Sequence, residues 1–318
     1  MPLRELRDDD YEALAGVFNT CTTHWPTTAG ALCAEYREIA GFDPFIRVSE
    51  DAGGRAVGLG HLISPSELGD PRKMNLRVLV HADHRRQGRG GELAAALMAE
   101  ADRRGWIELN THYMDEGDVG GSRRLLERWG FREDLRGDMF ALELANFDEA
   151  EAERALAETP VAGLRVVVLA EETAPDRVER WHDLFTAAYA DVPEMADLEP
   201  PDLDRFRWRF LGLPGMREDS VWLAEADGRY VGFTQFRYPP GGGDPFIALT
   251  VVRREYRRRG LARLLKLQAQ AAAKRRGDRR IITGSAMGNE GMQRLNRALG
   301  FEPFAAYVFC RRTREAAP

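Results

Sequence analysis

Short apolar runs with polar neighbours, bounded by glycine turns, dominate two stretches of this chain. "FIRVSED" (45–51) and "RAVGLGHLI" (55–63) read as a hairpin, and so do "VWLAEAD" (221–227) and "RYVGFTQFRY" (229–238). A third strand follows each hairpin, "NLRVLVH" (75–81) in one case and "FIALTVV" (246–252) in the other. The pattern then changes period. Apolar residues at 93, 97, 98 and 101, and at 261, 264, 265 and 268, have helical spacing. Each predicted helix ends in basic residues and a glycine, "DRRGW" and "KRRGD", which suits the negative end of a helix and a left-handed cap. A strand, a helix and a closing strand complete each set, and each hairpin is preceded by a helical stretch (8–20; 174–190) and then a polar, proline-containing segment.

The two sets are copies. Arg85, Gly88 and Gly90 correspond to Arg257, Gly260 and Ala262 at a separation of 172, Val57 to Val231 at 174, and Phe131 to Phe301 at 170. Three motifs in one order at nearly constant spacing mark a duplicated domain. Residues 148–160, "DEAEAERALAETP", read as a charged helical connector, so the domains are expected at 1–150 and 161–318. The expected fold class is α/β, two tandem domains that each set a mixed, mainly antiparallel sheet against helices.

Composition narrows the function. The 318 residues are 44% hydrophobic and 30% charged with a net charge of −6, so the arginine clusters lie on an acidic background. That weighs against nucleic acid as a partner, which needs a net basic face. Cys21, Cys33 and Cys310 form no CxxC and leave an odd count, the usage of a reducing compartment. With no signal-peptide core at the start and no run of membrane-spanning length, the expectation is a cytoplasmic protein, monomer or homodimer, with no membrane partner.

The repeated loop joins a strand to a helix N-terminus through a glycine turn. Such a turn gathers backbone N–H groups around a concavity suited to phosphate or pyrophosphate. The loops match neither GxxxxGK[ST] nor GxGxxG. The alternative is a plain turn with solvated arginines; recurrence of the loop with the same downstream elements favours binding.

Here the chain resembles the GCN5-related N-acetyltransferases. Their hallmark [RQ]-x-x-G-x-[GA] is matched by Arg85-Arg86-Gln87-Gly88-Arg89-Gly90 and by Arg257-Arg258-Arg259-Gly260-Leu261-Ala262. "NEGMQRLNRALGF" (289–301) looks like the family's second conserved block, and the tandem arrangement is similar to mycothiol synthase and related two-domain enzymes. The resemblance implies that the loop amides hold the pyrophosphate of acetyl-CoA. It also implies that the strand ends, Leu79, Val80 and His81 or Val251, Val252 and Arg253, hold the pantetheine and thioester.

The family's tyrosine acid would fall at Asn296 or Leu126, and the block's asparagine, Asn289, answers to Val119. This comparison assigns catalysis to the C-terminal half, around Asn289 and Asn296. Asp244 is a candidate base or a turn residue, Glu225 a base or a hairpin-flank charge, and Tyr307 an acid or a packed aromatic. His81 and His84 lack a third ligand, so no metal is expected. His61 reads as structural or pocket-lining. Asp191, Glu194, Asp197, Glu199, Asp202 and Asp204 precede the second hairpin. They suggest either a solvated acidic loop or an acceptor site for a small amine with more than one positive charge. A non-catalytic acyl-CoA sensor, acetylation of a thiol-sugar metabolite, and a nucleic-acid module using Arg257–Arg259, Lys274–Arg276 and Arg279–Arg280 remain as alternatives.

Overall fold

Residues 3–65, 69–115, 120–192, 195 and 198–314 are described by the computed structural model of the chain. The elements in chain order begin with β1 (Leu3–Arg4), α1 (Tyr11–Cys21), α2 (Ala29–Ile39), β2 (Phe45–Glu50), β3 (Ala56–Ile63), β4 (Lys73–Val80), α3 (Arg89–Arg103), β5 (Glu108–Asp115), α4 (Gly120–Arg128) and β6 (Arg132–Glu143). The connector is α5 (Ala150–Glu158). Then follow β7 (Arg165–Val168), α6 (Arg177–Ala188), α7 (Leu203–Arg207), β8 (Val221–Ala226), β9 (Arg229–Arg237), β10 (Phe246–Val252), α8 (Leu261–Arg276), β11 (Arg280–Ala286), α9 (Glu290–Ala298) and β12 (Glu302–Thr313). Helix α2 occupies a segment that its polar, proline-containing surroundings had left unassigned.

The chain forms two compact units, and they are not the halves 1–150 and 161–318. The first comprises residues 1–136, 240–243 and 305–318, the second residues 137–239 and 244–304. In the first unit the strand order is β1-β2-β3-β4-β5-β12, and in the second β6-β11-β10-β9-β8-β7. The closing strands are thus exchanged. Strand β12, from the second repeat, lies antiparallel to β5 from Ala306↔Asp115 to Thr313↔Glu108. Strand β6, from the first repeat, lies antiparallel to β11 from Gly137↔Ala286 to Glu143↔Arg280. Each edge has its hydrogen bonds satisfied, but by the other repeat's strand. Val308 and Cys310 join Leu109 in one core, and Phe140 and Leu142 join Ile281 in another.

Helices α3 and α8 lie close on their sheets because β3 and β9 carry a glycine at the crossing. A Cβ at Gly232 would stand 3.1 Å from Leu265 and 3.1 Å from the Val251 carbonyl, and one at Gly58 would stand 3.2 Å from the Leu79 carbonyl. Helix α5 packs on α8 in the second unit through buried Ala152 and Ala155.

One feature of the pairing positions a site in each unit. The parallel pair β4–β5 is bonded only from Lys73↔Glu108 to Asn75↔Asn110. The parallel pair β10–β11 is bonded only at Phe246↔Ile282 and Ile247↔Thr283. Beyond these points, among the described residues, Leu76–Val80 and Ala248–Val252 have no partner strand on that edge. The strands splay, and the gap opens toward the repeated loop.

Candidate active site

Both loops follow one backbone path. Arg86 and Arg258 have φ of 60°, and Gly88 and Gly260 have φ of 86° and 84°. The glycines adopt this left-handed conformation freely, whereas an arginine there costs roughly 1–2 kcal/mol. Both repeats retain that strain. Left-handed residues set at intervals in a loop make nests of N–H groups suited to an anion. A Cβ built at Gly88 meets nothing within 4 Å, so the concavity of the first loop is open.

The leading arginine of each motif does not face that opening. Arg85 donates from Nε to the Val80 carbonyl at 3.0 Å and from its amino nitrogen to the Thr20 carbonyl at 2.8 Å. Arg257 repeats the first bond, to the Val252 carbonyl at 3.0 Å, and pairs with Asp191. These arginines tie the loop to the strand end and the preceding helix. Arg254 also pairs with Asp191, and the two guanidiniums hold its carboxyl down at about 2.

Three further side chains turn inward and serve the fold, which leaves contact with CoA at these positions to the backbone. Arg89 is buried and donates to Ser49 Oγ at 2.9 Å and the Glu50 carbonyl at 2.6 Å; its counterpart Leu261 is 1% exposed. Arg253 is buried, bonded to the Tyr230 carbonyl at 2.9 Å and to Asp183. Arg86, Gln87, Arg258 and Arg259 remain exposed, and Arg259 lies 5.3 Å from the Tyr256 ring. Gly90 has Leu125 and Val80 at 3.7 and 3.8 Å from a built Cβ, a seat for the small residue that Ala262 supplies in the second copy. His81 accepts from the Asp83 N–H at 3.3 Å.

The four residues expected to be catalytic have different surroundings. Asn289 is the N-cap of α9, its side chain accepting from the Met292 N–H at 3.2 Å. Asp244 is paired with Arg280 at 2.8 Å. Tyr307 belongs to the first unit, opposite Met114 on β5 and edge-on to Phe309 at 5.7 Å. Glu225 is buried and paired with Arg165 at 2.7 Å. Val119, Glu194 and Asp197 lie outside the described residues. Of the remaining acidic segment, Asp191 is held by arginines and Asp202 caps α7, accepting from the Arg205 N–H at 2.8 Å.

Asn296 is fully buried, and neither atom of its amide is hydrogen-bonded. Two α8 side chains are also polar and buried. Gln270 is 0% exposed with both amide atoms unbonded, and Lys266 is 1% exposed with its ammonium 5.4 Å from the Phe301 ring. Burial lowers the Lys266 pKa to about 7. At the loop and Gly-Phe separations of 172 and 170, their counterparts in the first repeat are Ala94, Met98 and Leu126, all apolar. The second repeat has therefore placed three polar groups where the first has hydrocarbon.

The first unit gathers different groups at its splayed strands. His61 on β3 pairs in register with Arg77 on β4, and His112 on β5 pairs with Phe309 on β12. Arg77 and His112 each stand two residues beyond the last bonded pair, Asn75↔Asn110, and so share one face. Tyr36 on α2 covers this face, its hydroxyl 2.7 Å from His61 Nδ1. Burial, then Arg77, lowers the His61 pKa to about 3. Burial raises the Tyr36 pKa. His112 is lowered by desolvation and then by Arg77, although its ring and that of Phe309 stay solvent-exposed in mid-sheet. An exposed aromatic pair there has open space in front of it. Sequence reading had marked His61 and Tyr307 and missed Tyr36, Arg77 and His112; an arginine inside the apolar run "MNLRVLV" was the available signal.

The corresponding face of the second unit is filled. Gln235, at the position of His61, donates to the Phe210 carbonyl at 2.8 Å, and Leu249, at that of Arg77, packs on a cluster of Trp181, Phe185, Phe206, Phe210 and Phe233.

Residues 178–301, which include the second loop and α9, match the model of the acetyltransferase (GNAT) family. The second repeat is thus similar in sequence to GNAT domains. A tandem GNAT protein of the clavulanic acid biosynthesis pathway is 20% identical, with a TM-score of 0.71 over 100% of this chain and 99% of that one. A GCN5-related N-acetyltransferase from Sphaerobacter thermophilus is 18% identical, with a TM-score of 0.68 over 98% and 95%. A glucosamine N-acetyltransferase region of a fungal multi-domain β-N-acetylglucosaminidase is 13% identical, with a TM-score of 0.69 over 98% of this chain and 38% of that one. These likenesses concern the two-domain GNAT fold. Comparison with curated proteins gives no match. Among the described residues, no helix is long and apolar enough to cross a membrane.

Proposed function

We propose that this chain is an acetyl-CoA-dependent N-acetyltransferase acting on a small primary amine, with the chemistry in the first unit. The observation that carries this reading is the open edge of β4 beyond Asn75, with exposed His112 and Phe309 beside it. It departs from the expectation that Asn289 and Asn296 mark the catalytic half, since one is a helix cap and the other is sealed in the core. In this reading the second loop binds CoA without turnover.

The residues present fit the cosubstrate. Backbone N–H groups around Gln87–Gly90, at the positive end of α3, suit a pyrophosphate. The free edge at Leu79–His81 suits strand-like bonds to the amides of pantetheine. Holding amine and thioester together supplies much of the rate. The amine must attack in its neutral form, and the His112 imidazole, kept uncharged beside Arg77, accepts a hydrogen bond from its N–H. As the carbon–sulfur bond breaks, the thiolate needs a proton, and the Tyr307 hydroxyl on the same strand face as Phe309 is the candidate donor.

Gly88→Asp brings a side chain and a negative charge into the first loop and is expected to abolish thiol release. It should also weaken acetyl-CoA binding by more than tenfold, over about 1.4 kcal/mol. Gly260→Asp should leave kcat within a few fold. The opposite pattern returns the chemistry to the second unit.

A further inference from the structure

Arg77 is a half-buried cation in the middle of the first sheet. Among the described residues, it has no carboxylate partner and no hydrogen-bonded carbonyl. Its guanidinium carbon lies 5.1 Å from the centre of the Phe18 ring, which supports its plane but leaves its N–H groups unbonded. Its ionisable neighbours on the face, His61, His112 and Tyr36, are all held in their neutral forms. Glu108 shares the strand face of His112 but lies four residues away, within reach of Asn110 and Arg311. A partly desolvated guanidinium is costly without an anion. The second repeat fills the same position with Leu249, so the fold does not require a charge there.

We propose that Arg77 receives a carboxylate group of a substrate, through the planar two-pronged contact a guanidinium makes with carboxylate. This rests on the first unit's being the reacting one. The carboxylate belongs either to the acceptor amine or to the acyl chain of the donor, both of which meet at the splay. In the first case the acceptor is an amino acid or a similar amino-carboxylate, and not the polycation suggested by the acidic segment.

Arg77→Leu copies the second repeat, so it should fold, which unchanged acetyl-CoA affinity and thermal unfolding would establish. Thiol release is measured with acetyl-CoA and paired acceptors, each amino acid against its carboxamide, and then with acetyl-CoA against succinyl-CoA on one neutral amine. The wild type should prefer the carboxylate member of one arm by about ten- to a hundredfold in kcat/KM, mostly through KM, as expected for a charge-assisted bond. Arg77→Leu should erase that preference, whatever its effect on the rate common to both members; Arg77→Lys should restore part of it. Equal use of both members in both arms, or a preference that survives Arg77→Leu, overturns the proposal. If no acceptor turns over, the proposed activity itself fails. Glutarate titrated against wild type and Arg77→Leu by calorimetry then tests the carboxylate site alone, and equal or absent binding in the two proteins rejects it.

Discussion

Lys266→Met should stabilise the second unit, and the gain should shrink as pH rises. Lys266 is 1% exposed, and among the described residues its ammonium lies 5.4 Å from the centre of the Phe301 ring. Its pKa falls from 10.5 to about 7 because burial penalises the charge. The unfolded chain therefore holds this proton below pH 10.5 and the folded chain only below about 7. Stability is lost as pH falls through that window and is constant below it. The linkage relation gives a cost of about 4 kcal/mol at pH 7 and about 2 kcal/mol at pH 9. Both are upper bounds, because the ring face returns part of the cost at pH 7. Methionine has a similar length and no charge, and the first repeat already carries Ala94 at this position. Native-state hydrogen exchange of the α8 amides at the two pH values would measure the opening free energy of the unit that contains the substitution. A destabilised variant, or a gain independent of pH, would show that the ammonium has a compensating partner.

The first unit should lose stability in acid. His61 has an ordinary pKa of 6.5 and a folded value of about 3, so the stability linked to it is complete above pH 6.5 and falls by about 2 kcal/mol on going from pH 8 to pH 5. His61→Gln, which copies Gln235, should reduce the slope of stability against pH over 6.5–5 by one proton in denaturant titrations; an unchanged slope counts against a neutral His61. Gly232→Ala should cost about 1–3 kcal/mol, because its Cβ stands 3.1 Å from both Leu265 and the Val251 carbonyl and α8 must move outward. Thermal unfolding measures this, and no change would mean the helix does not rest on the glycine. The paired substitutions at Gly88 and Gly260, and those at Arg77, test the assignment of the reacting unit and of its substrate.

The sequence by itself determined the duplication, the hairpins, the loop and the helix after it. These are local matters. Turn glycines, helical spacing and caps act within a few residues, so Gly88 and Gly260 marked a turn before any neighbour was known, and both are left-handed in the structure. Which closing strand meets which sheet was not legible. β6 and β12 descend from one ancestral strand with similar apolar positions, and an open edge accepts any backbone of suitable register, so only the assembled chain selects β12 for β5 and β6 for β11. The same exchange put Tyr307 in the first unit, although it follows the second loop in sequence. The candidate site was hidden for a related reason. Arg77, His112 and Tyr36 are ordinary residues in sequence, on three elements, and they acquire meaning because β4 and β5 part after Asn75 and α2 folds over the gap. Conversely, Asn289 and Asn296 looked chemical by position; a local bond to the Met292 N–H makes the first a helix cap, and tertiary packing seals the second from solvent. Position in a motif fixes the backbone path; the surroundings of a side chain decide whether it is free to react.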